Sequence, residues 1–357
     1  MTNNISNLVV GGDFYENYYL NKKNSFKNNK NLIWANTART NFEIIINSIK
    51  NDINKLFIPD YLCLDIFIPI LKKHKIKYVF YKIKKNLVFS IPSLKCNSQN
   101  AILIVDYFGF TDSKIINSLK RKKFLIIFDM VQSPIKFLNN FLIGKNSLNN
   151  VDYAFTSFKK SFSIPNGSCI YSKVKINNIE FKLKNVKYID FLWEKGIKQK
   201  KNYILCREKN KKTEIKYLKL FKKITDLNNN VNGRITEKSL KILSKIDFKK
   251  HSKERLNKFD FLRSKIKKKF QIINYNYKLK TPPFFFPILV KNRKFLLNKF
   301  RKHSLFFPTH WKIKKSFYNL IKPELNFYDK EISLIIDNRI SYNQLELVYK
   351  TINKYAS

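Results

Sequence analysis

Glycine, proline, cysteine and acidic residues are all scarce in this 357-residue sequence, which has 7 glycines, 10 prolines and 4 cysteines. The cysteines (Cys63, Cys96, Cys169 and Cys206) stand apart with no C-x-x-C pair. That spacing suits neither a disulfide framework nor a structural zinc site. The 4 histidines are equally scattered. His303 and His310 form the one close pair, and without a carboxylate or thiol beside them they make no metal site. The longest charge-free apolar run lies around Thr281–Val290, too short to cross a bilayer. Met1–Asp13 has no basic segment leading into an apolar core, so no secretory signal is read there. The expectation is a cytoplasmic chain with no metal and no membrane span.

The shortage of acids against 71 Lys+Arg leaves a net charge of +46. Such a charge attracts polyanions without regard to sequence and raises a nucleic-acid-binding reading. The lysines, however, run from Lys22 to Lys354 without gathering into a stripe or tail. Lys, Asn, Ile, Phe and Tyr all have codons rich in A and T, and a drifting coding sequence gives this bias along a whole chain. Dispersed charge lacks the clustering of a nucleic-acid footprint, so no specific nucleic-acid partner is expected.

Apolar residues make up 44% of the chain, enough for a real core in one large domain and a smaller one. Short apolar runs at Lys55–Pro59, Tyr78–Ile83, Ala101–Asp106, Phe124–Asp129, Val151–Ser157 and Ser168–Tyr171 read as strands. Helical stretches at Tyr61–Lys73 and Ser113–Arg121 lie between them. That alternation predicts an α/β fold with a mostly parallel sheet covered on both faces. Lys173–Asn230 reads as largely helical without resolvable elements. Thr236–Lys269 predicts a long helix or a helix pair. Strands at Phe284–Val290 and Ser333–Ile336, with helices at Asn292–Lys302 and Tyr342–Tyr355, predict a small C-terminal α+β domain. The division is placed between residues 1–235 and 236–357.

Ligands of open parallel sheets bind at the carboxyl ends of the strands. Those ends carry Pro59-Asp60-Tyr61, Asp106-Tyr107-Phe108-Gly109, Asp129-Met130-Val131-Gln132-Ser133 and Ser157-Phe158-Lys159-Lys160. Asn36-Thr37-Ala38-Arg39-Thr40 opens a helix whose free N–H groups suit a phosphate. A lysine, a strand-end acid, hydroxyls and a helix start are what pyridoxal phosphate requires. The lysine forms the Schiff base, the acid keeps the pyridine nitrogen protonated, and the helix holds the phosphate.

In order and spacing, "LFIPDYLCLDIFIPILKKHKIKYVFYKI", "AILIVDYFGFTD", "IIFDMVQSP", "TSFKKSFSIPNGS" and "NGRITEKSLKIL" resemble the DegT/DnrJ/StrS family of sugar aminotransferases. The resemblance implies the PLP-transferase fold type I and a pyridoxal-phosphate-dependent transaminase. It puts Lys160 at the Schiff-base position, with Lys159 its neighbour, and Asp129 on the pyridine nitrogen. Gln132 and Cys63 fall beside the ring. Thr37, Ala38, Arg39 and Ser157 fall at the phosphate, and Asn232 at the position that touches the cofactor phosphate of the partner in a homodimer. The implied reaction moves an amino group from an amino acid, glutamate being the usual donor, to a nucleotide-linked keto-sugar for a cell-surface polysaccharide or glycoside. Ala38 stands where the family has glycine, Cys63 where it has an aromatic residue, and Asp60 where it has a small hydroxyl residue. These departures keep open a second reading, a catalytically inactive binding or regulatory protein on the same fold.

Overall fold

The computed structural model describes residues 9–16, 19–20, 23–24, 26, 30–84, 86–87, 99–142, 148, 150–182, 186–205, 211–230, 232–272, 281–321 and 327–357. Cys96, Cys206 and the Lys/Asn-rich stretch at 27–29 lie outside them.

Seven strands form one sheet: β1 (Leu32–Ala35), β2 (Lys55–Pro59), β3 (Tyr78–Tyr81), β4 (Asn100–Val105), β5 (Leu125–Asp129), β6 (Tyr153–Ser157) and β7 (Ser168–Ser172). Their spatial order is β1-β7-β6-β5-β4-β2-β3. β3, β2, β4, β5 and β6 pair in parallel, and β7 runs antiparallel to both β6 and β1. β4 is buried along its whole length, as its Ala-Ile-Leu-Ile-Val run requires of a strand covered on both faces. Each of its fully buried aliphatic side chains contributes about 1.5–3 kcal/mol by leaving water. Helices α1 (Ala38–Ile49), α2 (Leu64–Lys73), α3 (Ser113–Arg121) and the short α4 (Pro134–Phe137) connect the strands.

β1 is an addition to the sequence reading, which begins its strands at Lys55. The Lys173–Asn230 stretch contains two helices of 20 residues, α5 (Val186–Leu205) and α6 (Lys211–Asn230). They pack side by side around their own cluster of Ile189, Trp193, Tyr217, Phe221 and Ile224. The 236–269 stretch divides into α7 (Glu237–Leu243) and α8 (Phe248–Lys265), because Asp247 caps the second helix by accepting the Lys250 N–H at 3.0 Å.

The C-terminal part contains β8 (Phe286–Leu289) and β9 (Glu331–Leu334), an antiparallel pair, with α9 (Arg293–Lys302), α10 (Lys315–Ile321), α11 (Phe327–Lys330) and α12 (Tyr342–Tyr355). β9 begins and ends two residues before the predicted Ser333–Ile336. Its pairing stops at Leu334, opposite Phe286, and ahead of that pair the chain leaves the ladder, the Phe284 N–H donating to the Phe108 carbonyl at 2.9 Å. Among the described residues no helix is long and apolar enough to cross a membrane.

Candidate active site

The strand register brings the predicted residues to one edge of the sheet. Val105 pairs with Asp129, Asp129 with Phe155, and both Ser157 and Ala35 with Ser168. A cavity of about 580 Å³ opens there. Thr37, Ala38, Arg39, Cys63, Asp129, Gln132, Ser157, Lys159 and Lys160 all line it. Asn232 does not line it. The Asn232 carbonyl accepts the Lys182 N–H at 2.9 Å.

One end of the cavity is the start of α1. Thr37 is extended and caps the helix, accepting the Thr40 N–H at 3.1 Å. The Thr40 hydroxyl donates to Asn36 Oδ1 at 2.7 Å. Asn36 Nδ2 donates to the Asn228 carbonyl at 2.9 Å, and Arg39 Nη1 to the Asn229 carbonyl at 3.3 Å. The end of α6 therefore clasps the start of α1. Asn166 completes the clasp: its Nδ2 donates to Asn228 Oδ1 at 3.2 Å and its Oδ1 accepts the Thr236 N–H at 2.9 Å. Gly167 follows with φ +148°, and a Cβ there would stand 3.0 Å from both Ile164 Cδ1 and Ile235 Cδ1. The Asn-Gly pair is a turn signal legible in the sequence; the amide network around it is not.

Asp129 ends β5 almost completely buried. Burial raises its carboxyl from 3.8 to about 6, against the opposing Val131 N–H, which donates to Oδ1 at 2.9 Å, and the charge of Lys160. Burial likewise pushes the Cys63 thiol up, with Lys160 opposing. Lys160 is exposed, and its charge acts on both Asp129 and Cys63. Lys159 is half-buried, and burial lowers its ammonium despite the charge of Asp13. The two lysines thus face different surroundings, with Lys160 on the side of Asp129.

Gln132 is buried; its Oε1 accepts the Phe108 N–H at 2.9 Å and its Nε2 has no partner among the described residues. The other two strand-end acids stay out of the cavity. Asp60 accepts the Ile83 N–H at 3.0 Å and pairs with Lys82 at 3.6 Å. Asp106 accepts the Thr111 N–H at 2.9 Å and pairs with Lys136 at 3.1 Å. Both carboxylates hold structure together, so of the three only Asp129 converges on the site.

The remaining wall comes from the chain's N-terminal segment and its C-terminal part. Gly12, Asp13 and Phe14 line the cavity, and so do Arg301, His310 and Arg339 from the C-terminal part. Val10 bridges to Leu305, and Gly11 (φ +126°) leaves no room for a side chain, since a Cβ would meet the Phe306 carbonyl oxygen at 2.4 Å. Lys200 of α5 donates to the Asp13 carbonyl, and Arg339 Nη1 to the Gly12 carbonyl at 2.6 Å.

No protein-family profile and no curated protein sequence matches the chain. Solved structures do. PseC of Helicobacter pylori, an aminotransferase involved in the biosynthesis of pseudoaminic acid, aligns with a TM-score of 0.58 at 14% identity, covering 96% of this chain and 99% of its own. The fold is that of the sugar aminotransferases. A DegT DnrJ EryC1 StrS aminotransferase from Brucella abortus aligns at 0.58 and 11% identity, over 90% of this chain and 85% of its own. A Streptococcus pneumoniae protein classed as a sugar aminotransferase, in its PMP form, aligns at 0.61 and 14% identity, over 90% and 84%. The sugar-aminotransferase fold therefore spans the described N-terminal and C-terminal parts together.

Proposed function

We propose that this chain is a pyridoxal-phosphate-dependent sugar aminotransferase. The observation that carries this reading is the placement of Asp129 and Lys160 on one cavity at the carboxyl edge of the sheet, in a fold shared with sugar aminotransferases. The residues present fit the cofactor. A buried carboxylate raised to about 6 is a group in want of a cation, and a pyridinium N–H supplies one. The unpartnered Gln132 Nε2 is a buried donor in want of an acceptor on the ring.

Bound there, pyridoxal phosphate would supply an electron sink for charge developing at the substrate carbon that carries the nitrogen. Lys160 would bond the cofactor and, once released, carry the proton at that carbon. Asp129 would keep the pyridine nitrogen protonated. Thr37, Ala38, Arg39 and Ser157 would hold the phosphate with the free N–H groups of α1. Gln132 and Cys63 would flank the ring. Asn232, outside its own chain's cavity, would reach the phosphate of a second copy in a homodimer. The small domain would begin near residue 236.

The donor in this reading is an amino acid, glutamate first, and the acceptor a keto-sugar on a nucleotide. The product would go to a surface polysaccharide or glycoside. The +46 charge favours a diphosphate-bearing substrate. The test is the visible spectrum of the purified protein with added pyridoxal phosphate. A cofactor band that disappears on adding glutamate supports transamination. A band indifferent to every amino acid points to a bound but idle cofactor, and no band at all to a binding protein on this fold.

A further inference from the structure

His310 lines the cavity from the C-terminal part, and its ring makes a defined set of contacts. Glu331 and Ser333, two residues apart on β9 and so on one face of it, are fully buried behind it. Glu331 Oε2 accepts the backbone N–H of His310 at 2.6 Å, and Glu331 Oε1 accepts the Ser333 hydroxyl. Ser333 has a single proton to give, and it is spent on the carboxylate. The 2.7 Å contact between Ser333 Oγ and His310 Nδ1 therefore needs the ring to be the donor.

A neutral imidazole protonated at Nδ1 has its lone pair on Nε2. Among the described residues, nothing hydrogen-bonds Nε2. The ring is wedged against Phe108, Phe285 and Trp311, with centroids 5.8, 5.4 and 5.4 Å away. The Tyr61 hydroxyl donates to the His310 carbonyl. Backbone and ring are both fixed, and in the reading above the ring shares its cavity with Asp129 and Lys160.

We propose that His310 is a substrate-positioning residue, locked by Ser333 and Glu331 as the Nδ1–H tautomer so that Nε2 accepts a hydrogen bond from a hydroxyl of the bound sugar. With Glu331 accepting the Ser333 hydroxyl, the tautomer follows from the contacts of His310, Ser333 and Glu331. Only the identity of the hydroxyl's owner rests on the aminotransferase reading.

The test has two parts. Long-range ¹H–¹⁵N NMR of the full chain with ¹⁵N-labelled histidine, at a pH where the rings are neutral, reads the tautomer directly. With 4 histidines in the sequence, His310→Asn assigns the signal. The expected result is a protonated Nδ1 and a bare Nε2 at His310, with the pattern moving toward Nε2–H in Ser333→Ala. A His310 found as Nε2–H in the wild type would overturn the proposal, since Glu331 would then hold the proton and the relay would run the other way. The second part uses the pyridoxal-phosphate-loaded protein with a nucleoside-diphosphate-linked 4-keto-6-deoxyhexose as probe. His310→Asn keeps a donor toward Ser333 and removes the acceptor. It should weaken probe binding about fivefold to tenfold, the value of one hydrogen bond, with the cofactor's visible band retained as evidence that the site is still formed. Unchanged probe affinity would overturn the positioning role. A wild type that binds neither cofactor nor probe would sink the aminotransferase reading and leave the tautomer result standing.

Discussion

Gln132 accepts the Phe108 N–H on its amide oxygen at 2.9 Å and keeps its amide nitrogen buried and, among the described residues, unpartnered, one residue short of the turn into α4. Buried donors are costly to leave unpaired, by about 1–3 kcal/mol. An acceptor brought in by the cofactor recovers that cost. Gln132→Glu replaces the donor with a second acceptor of the same shape. The expected outcome is a loss of pyridoxal-phosphate affinity of at least about tenfold, measured by titrating the visible band, with little change in the melting temperature of the cofactor-free protein.

Asp129 makes a prediction of opposite sign for stability and for binding. Its carboxyl is raised from 3.8 to about 6 in the folded chain. A group with a raised folded pKa contributes stability below its unfolded value, and that contribution is lost as the pH climbs through about 6. Above pH 6 the buried charge therefore works against the cofactor-free fold by about 2–3 kcal/mol. Asp129→Asn keeps the acceptor for the Val131 N–H and removes the charge. The cofactor-free variant should melt higher than the wild type at pH 8 and about equally at pH 4. In the presence of pyridoxal phosphate the order should reverse, because the pyridinium partner is lost.

Much of this arrangement was legible in the sequence because strand-end residues are placed by chain order. Asp129, Ser157 and Lys160 each follow an apolar run, and a parallel sheet carries all such ends to one edge. What could not be read depends on side chains that run against pattern. Lys200 is a buried lysine on α5 and Lys258 one on α8, and such residues blur the helical periodicity that would have resolved those helices. β1 is four residues long and is defined by its antiparallel partner β7. Asp60 and Asp106 look as suitable as Asp129 in the sequence, and only the contacts of Ile83, Lys82, Thr111 and Lys136 show that both are already engaged. Glu331 and Ser333 left one faint sign, two polar residues at alternate positions of an otherwise apolar strand.

Asp337 is the electrostatic tie between α8 and the N-terminal wall of the cavity. Arg339, half-buried, grips it with two bonds of 2.9 and 2.7 Å, and Arg255 lies 3.6 Å away, with Asp337 and Arg255 both nearly out of solvent. Burial alone would raise the carboxyl, but the two guanidinium charges and the Arg339 hydrogen bonds outweigh it and hold it well below the usual carboxylate range. Burial at the same time lowers Arg255 to about 10. A depressed folded pKa contributes stability above the unfolded value and loses it as the pH falls below about 4. Asp337→Asn should cost about 3–5 kcal/mol at neutral pH by leaving buried arginine unpaired. Urea denaturation should show that loss shrinking as the pH is lowered from 7 toward 3.

Arg339 carries the tie onward to the Gly12 carbonyl and lies over the Phe14 ring at 3.8 Å. Arg339→Met should therefore loosen residues 11–14. The expected sign is faster limited proteolysis within that segment and faster amide exchange at Phe14, with exchange in the β4–β5 core unchanged.

The measurement that bears most directly on the central claim is borohydride reduction of the pyridoxal-phosphate-loaded chain, followed by mass spectrometric location of the fixed cofactor. It should be run on the wild type, Lys160→Ala and Lys159→Ala side by side. The account predicts a single modified residue, Lys160, in the wild type and in Lys159→Ala, and no specific modification in Lys160→Ala. Modification that stays on Lys159 when Lys160 is replaced, or cofactor scattered over surface lysines in all three, would contradict it.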